Sequence, residues 1–314
     1  MEMLSSIFDL SLIASTIRAS TPILYAALAV IITQQADILN VGTEGIMLMG
    51  AFVAVSVSFL TGSWILAVIA AMVSGVLMAL IVGVAHIKFK GEIMVVGISL
   101  NMFALAVTRF LLREVFGVAG SFYSDKIVPI PRVHIPFLDN IPVLNTLFNN
   151  YSLFELLGPV FVFAIWYLLF RTTWGLRIRS VGLNPKAAET AGIDIYKSKF
   201  QVIIISGILG GIAGAHLSLG YSRMFVENMT NGRGFMGVAA MYFGGVNPIF
   251  AYIGTLIFGF ADSIGARLQS HGFPSDFILM VPYITTVAIL SISMIRKYLV
   301  EKKAKSSLIT MDNK

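Results

Sequence analysis

The chain has 314 residues, 57% of them hydrophobic and only 12% charged, with a mean hydropathy of +0.86 and a formal net charge of +6. That apolar fraction exceeds what a soluble core of this length needs and points to an all-α polytopic membrane protein. The lack of cysteine excludes disulfides, Cys-ligated metal and thiol catalysis. The positive charge falls between and after apolar runs, so it is a topology signal rather than a nucleic-acid footprint.

The N-terminal stretch MEMLSSIFDLSL carries Glu2 and Asp9 and lacks the basic region of a cleaved signal, so it reads as mature protein. Apolar runs then predict about nine membrane passes: 10–33, 41–60, 64–86, 93–112, 153–170, 200–220, 236–247, 249–268 and 276–295. Under that count Lys88 and Lys90, six Lys/Arg of 171–199 and six of the tail after 295 fall on one side. The other side collects Arg113, Lys126, Arg132, Arg223, Arg233 and Arg267. The positive-inside rule then places 171–199 and the C-terminus in the cytoplasm and the N-terminus outside.

Two segments break the simple pattern. LNVGTEGIMLMGAF at 39–52 holds Gly42, Gly45 and Gly50 around a buried-looking Glu44. NGRGFMGVAAMYFGGVNP at 231–248 supports a helix of only about 16–18 Å, too short for a hydrocarbon core of about 30 Å. Both read as Gly-rich broken helices, the first running outward and the second inward. With 153–170 set aside as a linking span, 1–112 and 200–295 pair as two inverted repeats within one domain, 1–314. The loop 113–152 is extracytoplasmic, and 296–314 is a basic cytoplasmic tail. Such paired interruptions mark a translocation path, while glycines that merely admit close helix packing are the plainer reading.

The candidate pathway residues are Asn40, Gly42, Glu44, Gly45, Met47, Asn101, Phe235, Gly244 and Gly245. Glu44 either faces the path or accepts helix N-terminal amides. Asn101 and Asp262 also suit polar contacts between helices. Arg18 and Arg109 lie within snorkelling reach of a membrane face. The loop with Pro129, Pro131, Pro136 and Pro142 fits either an external contact or a re-entrant cap.

No GxxxxGK[ST], HExxH or GxSxG occurs, and His86, His134, His216 and His271 are scattered without metal spacing. No cofactor, metal or catalytic group is therefore expected. Within 171–199, GLNPKAAETAGI encodes a two-turn helix. Asn184 caps it, Pro185 opens it and Gly192 ends it in the left-handed region. A helix that short needs a surface to pack on, and Ala187, Ala188 and Ala191 admit close approach.

Together, LNVGTEGIMLMGAF, RTTWGLRIRSVGLNPKAAETAGI and NGRGFMGVAAMYFGGVNPIFAYIGTLIFG resemble the permease subunits of bacterial ABC importers of the branched-chain amino acid, monosaccharide and nucleoside group. The resemblance runs from about residue 20 to 295. Asn-Val-Gly-x-Glu-Gly-x-Met at 40–47 is similar to nucleoside permeases, whereas sugar permeases tend toward Asp-Leu-Ser-Val-Gly and branched-chain amino acid permeases toward Asn-Phe-Ala-His-Gly. It implies a multi-pass protein of the bacterial plasma membrane, with a second related permease, a cytoplasmic ATPase and an extracytoplasmic substrate-binding lipoprotein as partners. On this resemblance Asn184, Pro185, Lys186, Ala187, Ala188, Glu189, Ala191 and Gly192 form the helix that couples to the ATPase. Monosaccharide or branched-chain amino acid import remain alternatives, as does an ion-driven secondary transporter acting through Glu44 and Asp262.

Overall fold

The computed structural model describes residues 9–134 and 149–270, with isolated positions 284 and 291. The expected ninth pass at 276–295, the basic tail, His271, Pro136 and Pro142 lie outside the described residues, apart from positions 284 and 291. The helices are α1 (Ser11–Gln34), α2 (Thr43–Thr61), α3 (Trp64–Gly83), α4 (Ile93–Phe116), α5 (Leu153–Arg171), α6 (Thr173–Leu183), α7 (Pro185–Thr190), α8 (Ile195–Ala215), α9 (Arg233–Phe243) and α10 (Pro248–Ser270). Wider π-helical turns extend α3 over Val84–Lys88 and α8 over His216–Ser222.

Seven helices among the described residues are long and apolar enough to cross a membrane: α1 to α5, α8 and α10, with α3 and α8 counted to the end of their π-turns. The eleven-residue α9 is not one of them, so the 236–247 run expected as a pass is a half-length helix. The polar stretch 171–199 also differs from its reading as a loop around one short helix. Residues 173–183 form α6, and α8 starts at Ile195, which draws Lys197 and Lys199 into its first turns.

The helices α1, α2 and α8 are buried along most of their length and form the centre. Around them α3, α4, α5 and α10 keep mostly exposed apolar flanks such as Leu77, Phe103, Phe163 and Phe250, as a lipid-facing shell requires. In the packing, α8 lies against α3, α2 and α1, and α1 lies against α10 and α9. Small residues permit this closeness. A methyl on Gly207 of α8 would stand 2.7 Å from Val76 Cα of α3.

Pro22 sits inside the continuous α1, and just before it the hydroxyls of Ser20 and Thr21 donate to Ile17 O at 2.9 and 2.8 Å. On the side of the 113–134 loop, β1 (Ser121–Phe122) pairs with β4 (Phe225–Val226), and β2 (Arg132–Val133) with β3 (Tyr151–Ser152). The first ribbon ties the two halves together. Beside it, Arg109 pairs with Glu227 at 3.1 Å, so this arginine has a protein partner rather than a snorkelling end.

Candidate translocation site

The two Gly-rich segments meet, although α2 runs unbroken through Gly45 and Gly50 over Thr43–Thr61 rather than as the broken helix expected of 39–52. After α1 the chain runs without helix through 38–42 and starts α2 at Thr43. Gly42, at the N-cap, has no side chain to satisfy the first amides, and Asn101 of α4 supplies the acceptor: Gly45 N donates to Asn101 Oδ1 at 2.8 Å, and Asn101 Nδ2 donates to Val41 O at 3.1 Å. Asn40 is buried and donates from Nδ2 to Ser206 Oγ at 3.2 Å, near the middle of the α8 span.

The start of α9 is built the same way from the other half. Gly232, at φ +83°, precedes it with no cap of its own. Gly232 N and Gly234 N donate to Glu44 Oε1 and Oε2 at 2.8 and 2.6 Å. A carboxylate bridging two helix-terminal amides is favoured by hydrogen bonding and by the helix dipole, each strengthened where water is excluded. Glu44 is buried, and a methyl on Gly234 would stand 2.7 Å from its Cα, so only glycine lets the two helix starts approach this far. Thus the carboxylate read as capping or pathway does accept helix N-terminal amides, but those of α9 rather than of its own helix.

The depth of this junction follows from α1. Ile23 and Ala27, at the middle of α1, pack with Met236, Ala239, Ala240 and Phe258, so α9 starts opposite the centre of a full-length span. Arg233, the first residue of α9, extends from there to Asp262 of α10, Nη2 to Oδ2 2.7 Å, and donates from Nη1 to Met229 O at 3.2 Å. The polar contact expected of Asp262 is therefore an ion pair with a residue that the pass count assigns to a loop.

Of the sequence-predicted residues, Asn40, Gly42, Glu44, Gly45 and Asn101 converge here. Phe235 is 44% exposed on α9, next to the junction. Met47 is fully buried one turn along α2, against α8. Gly244 and Gly245 lie at the opposite end of α9, in the turn to α10, where Gly245 has φ +58° and Gly244 packs on Ala251. Sequence reasoning missed Ser206, Gly232, Gly234 and Arg233 as members. The Gly-x-Gly at 232–234 is the signal that could have found them.

On the side of the α1 C-terminus, α7 is capped at both ends. Ala187 N donates to Asn184 Oδ1 at 3.1 Å, and Gly192 N and Ile193 N return to Glu189 O and Ala188 O at 2.9 and 3.0 Å, a Schellman closure. Lys186, Ala187, Glu189, Ala191 and Gly192 are exposed, while Ala188 is buried against the body of the protein. The preceding α6 rests on the turn after α1, with Gly182 directly against Gln35 O and Asp37 N. Gln35 Nε2 in turn donates to Val246 O, beyond α9, at 3.0 Å. One turn of chain thus touches α6, leads into α2 and holds the far end of α9.

Residues 12–290 match the family described as the branched-chain amino acid transport system / permease component. The chain is 36% identical over 293 residues to the guanosine ABC transporter permease protein NupQ of Bacillus subtilis, covering 89% of this chain and 91% of that one. It is 34% identical over 293 residues to the nucleoside ABC transporter permease protein NupC of Lactococcus lactis, covering 90% and 91%. A putative glucose ABC transporter permease protein, TsgC13 of Haloferax volcanii, is 29% identical over 331 residues, covering 98% of both chains. No solved structure matches. Seven helices long and apolar enough to cross a membrane, with this match across most of the chain, make the protein a member of the branched-chain amino acid transport system permease family, a transmembrane ABC transporter permease.

Proposed function

We propose that the chain imports nucleosides through a path beside the α2–α9 junction, as the membrane subunit of an ATP-driven importer of the bacterial plasma membrane. The observation that carries this reading is Glu44 holding the N-terminus of α9 from the N-terminus of α2. The full-length α2 and the half-length α9 start head to head inside the bundle and present amide dipoles and polar side chains where a bilayer offers none. The nucleoside assignment rests on the 40–47 motif and on the guanosine and nucleoside permeases among the relatives.

In this reading residues 276–295 supply a ninth pass, the N-terminus is outside and the basic C-terminus is cytoplasmic. The reciprocal packing of α8 on α3 and of α1 on α10 supports two inverted repeats, 1–112 and 200–295, joined through α5. The second permease, the cytoplasmic ATPase and the binding lipoprotein are the partners, and hydrolysis takes place in the ATPase. The exposed side of α7 is the coupling surface, and displacement there would travel through α6 and the Gln35–Asp37 turn to α2 and α9, a two-state rearrangement that alternates access. Glu44 is held by two amides and Asp262 by Arg233, which leaves neither as a free ion-binding carboxylate for a gradient-driven cycle.

The test is uptake of labelled purine and pyrimidine nucleosides, ribose and leucine by cells with and without this gene. Loss of nucleoside uptake alone is expected. Loss confined to ribose or leucine would refute the substrate assignment.

A further inference from the structure

Sequence reasoning left Arg18 as a snorkelling side chain and His216 as one of four scattered histidines, yet the fold gathers both around a second polar cluster. A cavity of about 180 Å³ opens between Ser15, Arg18, Arg132, Glu155, Gly220 and Tyr221. It lies near the start of α1 and beside the β2–β3 ribbon, on the extracytoplasmic side in the proposed orientation.

Its walls are held in place from behind. Glu155 is the acidic member of the α5 capping box and accepts from Ser152 N at 2.9 Å. His216 is fully buried and places Nε2 3.2 Å from Glu155 Oε1 and 3.1 Å from Ser152 Oγ. The π-helical turn that begins at His216 carries Tyr221 to the opening, and wide turns of this kind recur at functional sites.

The donors are in excess. Arg18 lies over the Tyr151 ring and donates weakly to Asn150 O at 3.4 Å, while its buried Nε has no partner. Arg132 makes no ion pair among the described residues. Beside these two guanidiniums stands a carboxylate whose oxygens each keep acceptor capacity. A simple anion would meet that carboxylate. A neutral ring bearing acceptors and donors on adjacent edges satisfies both.

Resting on the nucleoside reading above, we propose that this cavity is an outer subsite that selects the 6-oxopurine base. A guanidinium fork matches the O6 and N7 acceptors of such a base, and a carboxylate accepts from its ring and exocyclic N–H groups. The volume is below the roughly 300–1,000 Å³ of a drug-sized site, so the base enters and the ribose stays in the opening.

The experiment measures maximal uptake rates of guanosine, adenosine and uridine in cells carrying the full transporter, with membrane amounts of each variant matched. Arg18→Gln and Arg132→Gln should each lower the guanosine rate at least about fivefold, the low end of what one bidentate base contact is worth, and the uridine rate less than about twofold. Arg18→Lys, which keeps the charge and loses the fork, should resemble Arg18→Gln. Equal loss for all three nucleosides, an unchanged guanosine-to-uridine ratio, or wild-type behaviour of Arg18→Lys would each overturn the subsite. Failure of the wild-type protein to import any nucleoside overturns the substrate reading itself, and is seen before any variant is made.

Discussion

Gly182 of α6 lies with its backbone directly on that of Gln35, leaving no space for a side chain. Gln35 ends the central helix α1, and five residues later Asn40 reaches the mid-depth junction. A push on α7 thus has a short covalent and packed route to the starts of α2 and α9. Gly182→Val should force the two backbones apart and lower transport at least about fivefold, a steric overpacking cost of roughly 1–3 kcal/mol placed on the route. ATPase activity and solute uptake measured together in the reconstituted complex provide the check. Hydrolysis that persists while uptake falls is expected, and a normal ratio of the two would remove this contact from the coupling route.

Glu44→Gln tests the junction. The amide keeps one acceptor oxygen but turns an NH₂ group toward one of two buried N–H donors, leaving at least one unsatisfied at a cost of about 1–3 kcal/mol. Thermal unfolding of the detergent-solubilised chain should move down, and uptake should fall at least about tenfold. Wild-type uptake by Glu44→Gln would show that the carboxylate does not hold the path in shape.

The proposed coupling surface calls for variants chosen by exposure. Ala188 is buried, so a bulky residue there would damage packing whatever the partner does. Ala187→Trp and Glu189→Arg alter the exposed side instead, and both should abolish uptake and co-purification of the ATPase at unchanged membrane amount. Normal uptake in both would refute a coupling role for α7.

Much of this fold was readable because membrane spans and helix caps are local. Asn184, Pro185 and Gly192 fixed α7 through nearest-neighbour chemistry, and runs of about 20 apolar residues located seven helices. The cluster at the junction was half legible. The glycine-rich stretches at 39–52 and 231–248 marked both segments as unusual, but nothing local says that Glu44 serves the amides of a helix 190 residues away. Arg18, Glu155 and His216 were opaque for the same reason: an ionisable residue in an apolar run signals a partner without naming it. Only the packing of α1 on α5 and the π-turn of α8 brings them together.

The Arg233–Asp262 pair provides the last test, because it holds the first residue of α9 to α10 while Glu44 holds the same helix start to α2. At 2.7 Å, and with both side chains partly buried, the pair is worth more than a surface salt bridge, and losing one partner leaves a charge in a poorly solvated place. Asp262→Asn should lower uptake and destabilise the chain by about 3 kcal/mol if the site is as dry as a protein interior, and by less if water reaches it. The exchanged pair Arg233→Asp with Asp262→Arg should recover membrane amount and thermal stability, since the attraction is restored. It should not recover transport, because an acid at the first residue of α9 would stand beside Glu44 and compete for the same amides. Full transport by the exchanged pair would mean that attraction alone matters here, and that Arg233 contributes no directed charge at the junction.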